Sequence, residues 1–156
     1  MNPLYNLAIR LYSMAVKLAS LRNNKAKLMI AGQSETFDTL ARNIEPGKQY
    51  IWIHVSSLGE FEQGRPLIEM LKQHNPERRI LLTFFSPSGY EVCKNYNLAD
   101  VICYLPFDLP GNVHRFLDAV DVETAIFVKY EFWGNYLSEL HRRGIPTYII
   151  SAIFRP

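Results

Sequence analysis

Three polar turns, each closing an apolar run, hold most of the residues whose types and spacing suit group transfer. Ser56, Ser57, Gly59 and Glu60 follow the apolar residues 51–55, Ser86, Ser88 and Gly89 follow residues 79–85, and Glu131 follows residues 124–128. A carboxylate at such a turn can take the proton of an attacking hydroxyl, as a general base does. Serine hydroxyls and the free N–H groups of a turn can donate to a sugar or a phosphate. Each feature also has a plainer reading. Ser57 can cap a helix, and Glu60 suits the first turn of one through the helix dipole. Glu131 can pair with a neighbouring Lys or Arg. His54, inside an apolar run, reads as a core histidine bonded to backbone, and Trp133 reads as packing. Asp108, fenced by Pro106 and Pro110, reads as a turn stabilised by an Asx-type bond.

The elements that carry these turns alternate in type. Apolar runs at 50–55, 79–85, 101–105, 124–128 and 147–152 predict five strands. The run Arg79-Ile-Leu-Leu-Thr-Phe-Phe85 is nearly continuous, as expected of a strand covered on both faces. Between them lie helical stretches to about residue 74, to about 97, over 112–120 and over 133–143, the last closed by Gly144. Gly64 and Pro66 fall early in the first of these, and a proline there kinks or restarts a helix, so Glu60 is expected on a loop. Strand–helix alternation with short connections predicts an α/β fold, a Rossmann-like parallel sheet with helices on both faces. No G-x-G-x-x-G or Walker sequence follows a strand, so dinucleotide and P-loop sites have no support.

Residues 4–21 predict a further helix, with Leu4, Leu7, Ala8, Leu11, Met14, Ala15 and Leu18 on one face. Asn6, Arg10, Ser13, Lys17 and Ser20 line the other. Such a segment is ~27 Å long at 1.5 Å per residue, barely a hydrocarbon core, and Arg10 would sit near mid-bilayer. An interfacial helix is the expectation, with docking on the domain's own core as the alternative. Formal charge is +2 overall, but residues 1–34 hold Arg10, Lys17, Arg22, Lys25 and Lys27 and no acid. The remaining twelve basic residues against fifteen acids give −3. A basic, apolar arm before a mildly acidic domain points to an anionic membrane surface, with lipid phosphates at those five cations. Nucleic acid is disfavoured, because no exposed aromatics interleave the basic residues. Residues 1–34 are therefore expected to be a membrane-associating helix and linker, and 35–156 the α/β domain. Cys93 and Cys103 form no C-x-x-C pair, which excludes a disulfide or zinc scaffold and suits a reducing cytosol.

His54-Val-Ser-Ser-Leu-Gly59-Glu60 resembles the H-x-x-S-x-G-E signature of the Kdo transferases, enzymes that place 3-deoxy-D-manno-octulosonic acid on lipid A precursors. Thr83-Phe-Phe-Ser-Pro-Ser-Gly-Tyr-Glu91 is similar to the family's T-x-x-T/S-P-T/S-G-x-E. Tyr104-Leu-Pro-Phe-Asp-Leu-Pro110 matches Y-L-P-Y/F-D-L-P, and Lys129-Tyr-Glu-Phe-Trp-Gly-Asn135 resembles E-T-E-L-W-P-N. The resemblance implies the N-terminal, acceptor-binding half of a GT-B glycosyltransferase, with Glu60 as general base. Ser56, Ser57, Gly59, Ser86, Ser88, Gly89 and Glu131 would line the acceptor site. It further implies CMP-Kdo as donor, held mainly by a second domain to which nothing here corresponds, no cofactor or metal, and work at the cytoplasmic face of the inner membrane. Lys129 and Gly134 depart from the family's Glu and Pro, and Ser151-Ala-Ile-Phe-Arg155 stands for N-A-R-L-S, which touches the finer acceptor contacts. Two other readings stay open: a GT-B fragment for another lipid-linked sugar, and a non-catalytic membrane-peripheral module that binds glycolipid.

Overall fold

Alternate residues of the first strand go to two different cores. In the computed structural model, which describes residues 3–152, β1 (Tyr50–Val55) buries all six of its side chains. Tyr50 and Trp52 join one cluster, with Leu40, Phe116, Tyr136 and Leu140. Ile51, Ile53 and Val55 join the other, with Phe61, Ile68 and Cys93. Successive strand side chains point to opposite faces, so a strand buried at every position must be covered on both.

The remaining elements are α1 (Pro3–Ala19), α2 (Asn24–Asn43), α3 (Leu58–His74), β2 (Arg79–Phe84), α4 (Pro87–Cys93), β3 (Val101–Tyr104), α5 (Pro110–Ala119), β4 (Val122–Val128), α6 (Gly134–Arg142) and β5 (Thr147–Ile150). All five strands are parallel, in the order β3-β2-β1-β4-β5. Helices α2, α5 and α6 supply the first core and α3 and α4 the second. The expected Rossmann-like α/β architecture is what folds. In such an order, ligands bind outside the carboxyl ends of the strands where the winding reverses. Here that point lies between β1 and β4.

Three local expectations are corrected. The stretch 22–34, expected as linker, is mostly the first half of α2, a helix that continues to Asn43. Its buried residues are Met29, Gln33, Thr36 and Leu40. Thr36 Oγ1 donates to the Tyr104 carbonyl at 2.9 Å, and Gln33 Oε1 accepts from Phe107 N at 3.2 Å. A Cβ on Gly32 would lie 2.1 Å from the Tyr104 ring, so only glycine lets α2 sit this close to β3. Secondly, Pro66 neither breaks nor restarts α3, and Glu60 belongs to the helix's first turn rather than a loop. Thirdly, α1 docks on the domain through a mixed face, in which Asn6 and Ser13 of the expected polar stripe join Tyr5, Ile9 and Val16 while Arg10 and Lys17 stay exposed. Ser13 is buried and Tyr5, Ile9 and Val16 are half-buried, whereas Leu4, Leu7, Leu11, Met14 and Leu18 are 54–76 % exposed. The motif residues Ile153, Phe154 and Arg155 lie outside the described residues.

Candidate active site

The β1–α3 turn is built around Glu60. Ser57 is the N-cap residue of α3, with extended backbone, and Glu60 is the third helical residue. The Glu60 carboxylate folds back, its Oε2 accepting from Ser56 N at 2.5 Å and Ser57 N at 3.0 Å. That is the acidic half of a capping box, which satisfies amides left open at a helix start. Both bonds go to Oε2, so Oε1 has no donor among the described residues. The side chain is half-buried, and Gly59 beside it is exposed, with open space where a Cβ would project.

The β2–α4 turn is tied to this one. Ser86 N donates to the Ser56 carbonyl at 2.7 Å. Ser86 Oγ caps α4 through Ser88 N at 3.3 Å and lies 3.0 Å from Ser88 Oγ. A Cβ on Gly89 would come within 2.5 Å of the Phe84 ring and 2.9 Å of the Ser57 carbonyl carbon. Glycine there is what lets α4 approach the Ser57 turn. The two serine turns thus form one polar ledge at the carboxyl edge of the sheet.

On the other side of the switch point, β4 ends in Lys129, whose φ of 65° is left-handed. A non-glycine residue in that region costs about 1–3 kcal/mol and persists only where its surroundings hold it. The Lys129 N–H is held by the Ile150 carbonyl at 2.8 Å. Two residues on, Glu131 Oε2 accepts from the Trp133 indole N–H at 2.9 Å and lies 3.6 Å from His54 Nε2. The same indole N–H also reaches His54 Nε2, at 3.1 Å. Indole nitrogen only donates, so Nε2 is the accepting nitrogen and the ring proton sits on Nδ1. Nδ1 lies 2.9 Å from Thr83 Oγ1, which accepts the Trp52 indole as well at 2.8 Å. His54 is fully buried. It bonds side chains of two neighbouring elements rather than backbone, and Trp133 is a donor as well as a packing surface against Phe85.

Asp108 does more than close its own turn. It is fully buried, and its carboxylate accepts from Tyr5 Oη at 2.6 Å, Asn135 N at 2.9 Å and Tyr136 N at 3.0 Å. It caps α6 from another loop and pins α1 to it. Asn135 completes the junction, donating to the Asp108 carbonyl at 2.6 Å and to Asn6 Oδ1 at 2.8 Å. Burial pushes the Asp108 carboxyl above the usual range against these donors, and burial beside Asp108 pushes the Tyr5 hydroxyl up to about 12. Long-range partners of this kind leave no local signal in sequence.

The cations Arg10, Lys17, Arg22, Lys25 and Lys27 are exposed on α1, the connecting turn and the start of α2. A concavity of about 560 Å³ lies at the opposite end of the sheet, beside Val122, where Arg143 is already held by Asp118 and Glu139. It is remote from the serine ledge. Among the described residues no group of three His, Cys, Asp or Glu is placed to hold a metal ion.

Residues 25–156, and with them the whole ledge, match the family model described as 3-deoxy-D-manno-octulosonic-acid transferase (kdotransferase). The chain belongs to this family. It is 37% identical over 108 residues to the 3-deoxy-D-manno-octulosonic acid transferase of Haemophilus influenzae, covering 69% of this chain and 25% of that one. It is 39% identical over 91 residues to the enzyme of the same name from Aquifex aeolicus, covering 58% and 25%. A bifunctional glycosyltransferase/methyltransferase of Fusobacterium nucleatum is 26% identical over 108 residues, 67% of this chain and 17% of that one. The chain thus spans about a quarter of the length of the kdotransferases it matches. The kdotransferase match includes α2 and every strand, whereas α1 precedes it.

Proposed function

We propose that this chain is the acceptor-binding part of a glycosyltransferase that moves Kdo from CMP-Kdo to a lipid A precursor, with Glu60 as the general base. The observation that carries the reading is the Glu60 carboxylate, anchored through Oε2 by its own turn, with no donor to Oε1 among the described residues. A base must be held in place and still have a lone pair for the incoming proton. In the proposed step the acceptor hydroxyl gives its proton to Glu60 Oε1 while its oxygen bonds the anomeric carbon of Kdo. The bond from that carbon to the CMP phosphate oxygen breaks, and CMP leaves with the electron pair. Ser56, Ser57, Ser86 and Ser88 orient the acceptor sugar from the ledge, and Glu131, fixed by Trp133, takes a second acceptor hydroxyl. The donor is held mainly by a further domain of the kind the longer relatives have room for.

The acceptor is a lipid, so the site must work at a membrane surface, which we place at the cytoplasmic face of the inner membrane. Among the described residues no helix is long and apolar enough to cross a bilayer. The outward apolar face of α1 and the five cations beside it suit a helix lying in the headgroup region. The test is CMP-Kdo-dependent transfer to a tetraacyl lipid A precursor. The product of the open reading frame that encodes this chain should transfer Kdo, and the 156-residue chain alone should not. Transfer by the chain alone would overturn the division of labour. Glycolipid binding without transfer from the whole product would favour the binding-module reading.

A further inference from the structure

Beside the serine ledge, α1 and the start of α2 flank an open slot of about 270 Å³. Tyr12 and Val16 line it from α1, Ala26 and Met29 from α2, and Phe85 closes its floor. Pro87 adds to the apolar lining, and Lys25 and Ser86 are its two polar residues. The slot is smaller than the ~300–1,000 Å³ of sites for drug-sized ligands, and its apolar walls offer a sugar ring few partners. One hydrocarbon chain suits it. Lys25 stands in the first turn of α2, which contains no acid, and Arg22 and Lys27 flank it. The positive end of the helix dipole adds to this field, so the charge complements a phosphate. Ser86 is shared with the ledge, where its N–H holds the Ser56 turn. Tyr12, 43 % exposed, stands next to Leu11 on the apolar face that α1 turns outward.

We propose that this slot takes one acyl chain of a phosphate-bearing lipid, with the phosphate at Lys25 and the sugar end directed to the serine ledge. The inference rests on the lipid-acceptor reading above and adds a chain-binding subsite to it. A chain drawn into the slot from a bilayer meeting the outer face of α1 would not have to cross water. Its placement would fix how far along the lipid the ledge reads.

The methionines provide separate reporters. Met14 lies on the outward face of α1, 58 % exposed, Met29 is 7 % exposed behind the slot, and Met70 lies on α3 across the sheet. The experiment is methyl NMR of [13C-methyl]methionine-labelled protein. The probe is phosphatidic acid, doxyl-labelled on its chain, in phosphatidylcholine bicelles. Met14 and Met29 should both lose most of their intensity, and Met70 should keep it. Ala26→Trp and the milder Ala26→Leu should fill the slot and restore Met29 while Met14 stays broadened. An unchanged Met70 signal in each variant reports a kept fold. Broadening of Met14 alone would overturn the slot and leave the membrane surface standing. A second arm uses dihexanoyl phosphatidic acid as a monomer. A Met29 shift there with Met14 silent in bicelles would support the slot while removing the membrane-surface reading. Silence at Met29 in both arms would overturn the slot. Labelled phosphatidylcholine broadening Met29 as strongly as phosphatidic acid would overturn the phosphate site at Lys25. Inorganic phosphate alone should leave Met29 unmoved.

Discussion

Glu60 and Asp108 are both carboxylates at the carboxyl edge of the sheet, both sit in a family-like motif, and both accept backbone N–H groups. Their surroundings give them opposite uses. Asp108 is fully buried, with three donors spread over its two oxygens, one from α1 and two from α6. Both of its oxygens serve the fold. Glu60 is half-buried and accepts only from its own turn, through one oxygen. Removing Asp108 should loosen three elements at once, whereas changing Glu60 should leave the fold and alter the chemistry. Satisfaction of the polar atoms, rather than residue type or motif, separates a structural carboxylate from an available one.

The largest expected effect is that of Asp108→Ala. It leaves two buried amides and the half-buried Tyr5 hydroxyl without this acceptor, for a loss of about 2–6 kcal/mol from the amides at 1–3 kcal/mol each. Urea denaturation of the 156-residue chain measures it. In the same experiment Glu60→Gln should cost under about 0.5 kcal/mol, since Gln also completes a capping box. Equal losses would erase the contrast. Trp133→Phe keeps the packing on Phe85 but removes the N–H shared by His54 and Glu131. We expect a loss of about 1–2 kcal/mol, together with a changed 15N signature of the His54 ring. An unchanged ring spectrum would mean that Glu131 is positioned by something else.

A smaller effect probes a third carboxylate. Glu139 is buried and bonded to Arg142 and Arg143. The Arg142 bond is the main cause that holds it down at about 2, against the opposing effect of burial. A depressed carboxylate stabilises the fold above its unfolded value near 4.5. That contribution is lost as pH falls from there toward about 2. Because Arg142 is exposed, screening reduces the contribution to about 1 kcal/mol. Glu139→Gln should therefore flatten part of the fall in stability between pH 5 and pH 3, read from urea midpoints (about 1 kcal/mol). Glu60→Gln and Asp108→Ala should leave that part in place.

Much of this was legible in sequence because it is local. The alternating and continuous apolar runs set the strands, and the serine turns follow from their composition. The parallel direction of the strands follows from strand–helix alternation, and their order comes from the structure. Helix α2 was missed because two of its four buried positions are polar. Gln33 and Thr36 face the core through hydrogen bonds to Phe107 and Tyr104, and an apolar-periodicity argument does not count them. Pro66 reads in sequence as a breaker that leaves Glu60 on a loop, whereas α3 runs through it from Leu58 to His74. For α1 the outward apolar face agrees with the interfacial expectation, whereas the docking face of Tyr5, Ile9 and Val16 lies between the two stripes that periodicity separates. Tyr5 and Asn6 meet the domain through bonds to Asp108 and Asn135 that periodicity does not register, beside Ile9 and Val16, which pack on the cluster of Met29, Phe85 and Phe107. The network joining His54, Trp133 and Glu131 was hidden for the same reason, since its members come from β1 and the turn after β4.

The central claim is that Glu60, the carboxylate the fold leaves available, takes the acceptor's proton. The most direct test is CMP-Kdo-dependent transfer to the lipid A precursor by the product of the encoding open reading frame, wild type against Glu60→Gln. The account predicts a loss of about 10²–10⁴-fold in kcat, the range for removing a general base, with acceptor binding retained. Transfer within a few-fold of wild type would contradict it and move the base elsewhere, with Glu131 the next carboxylate to change.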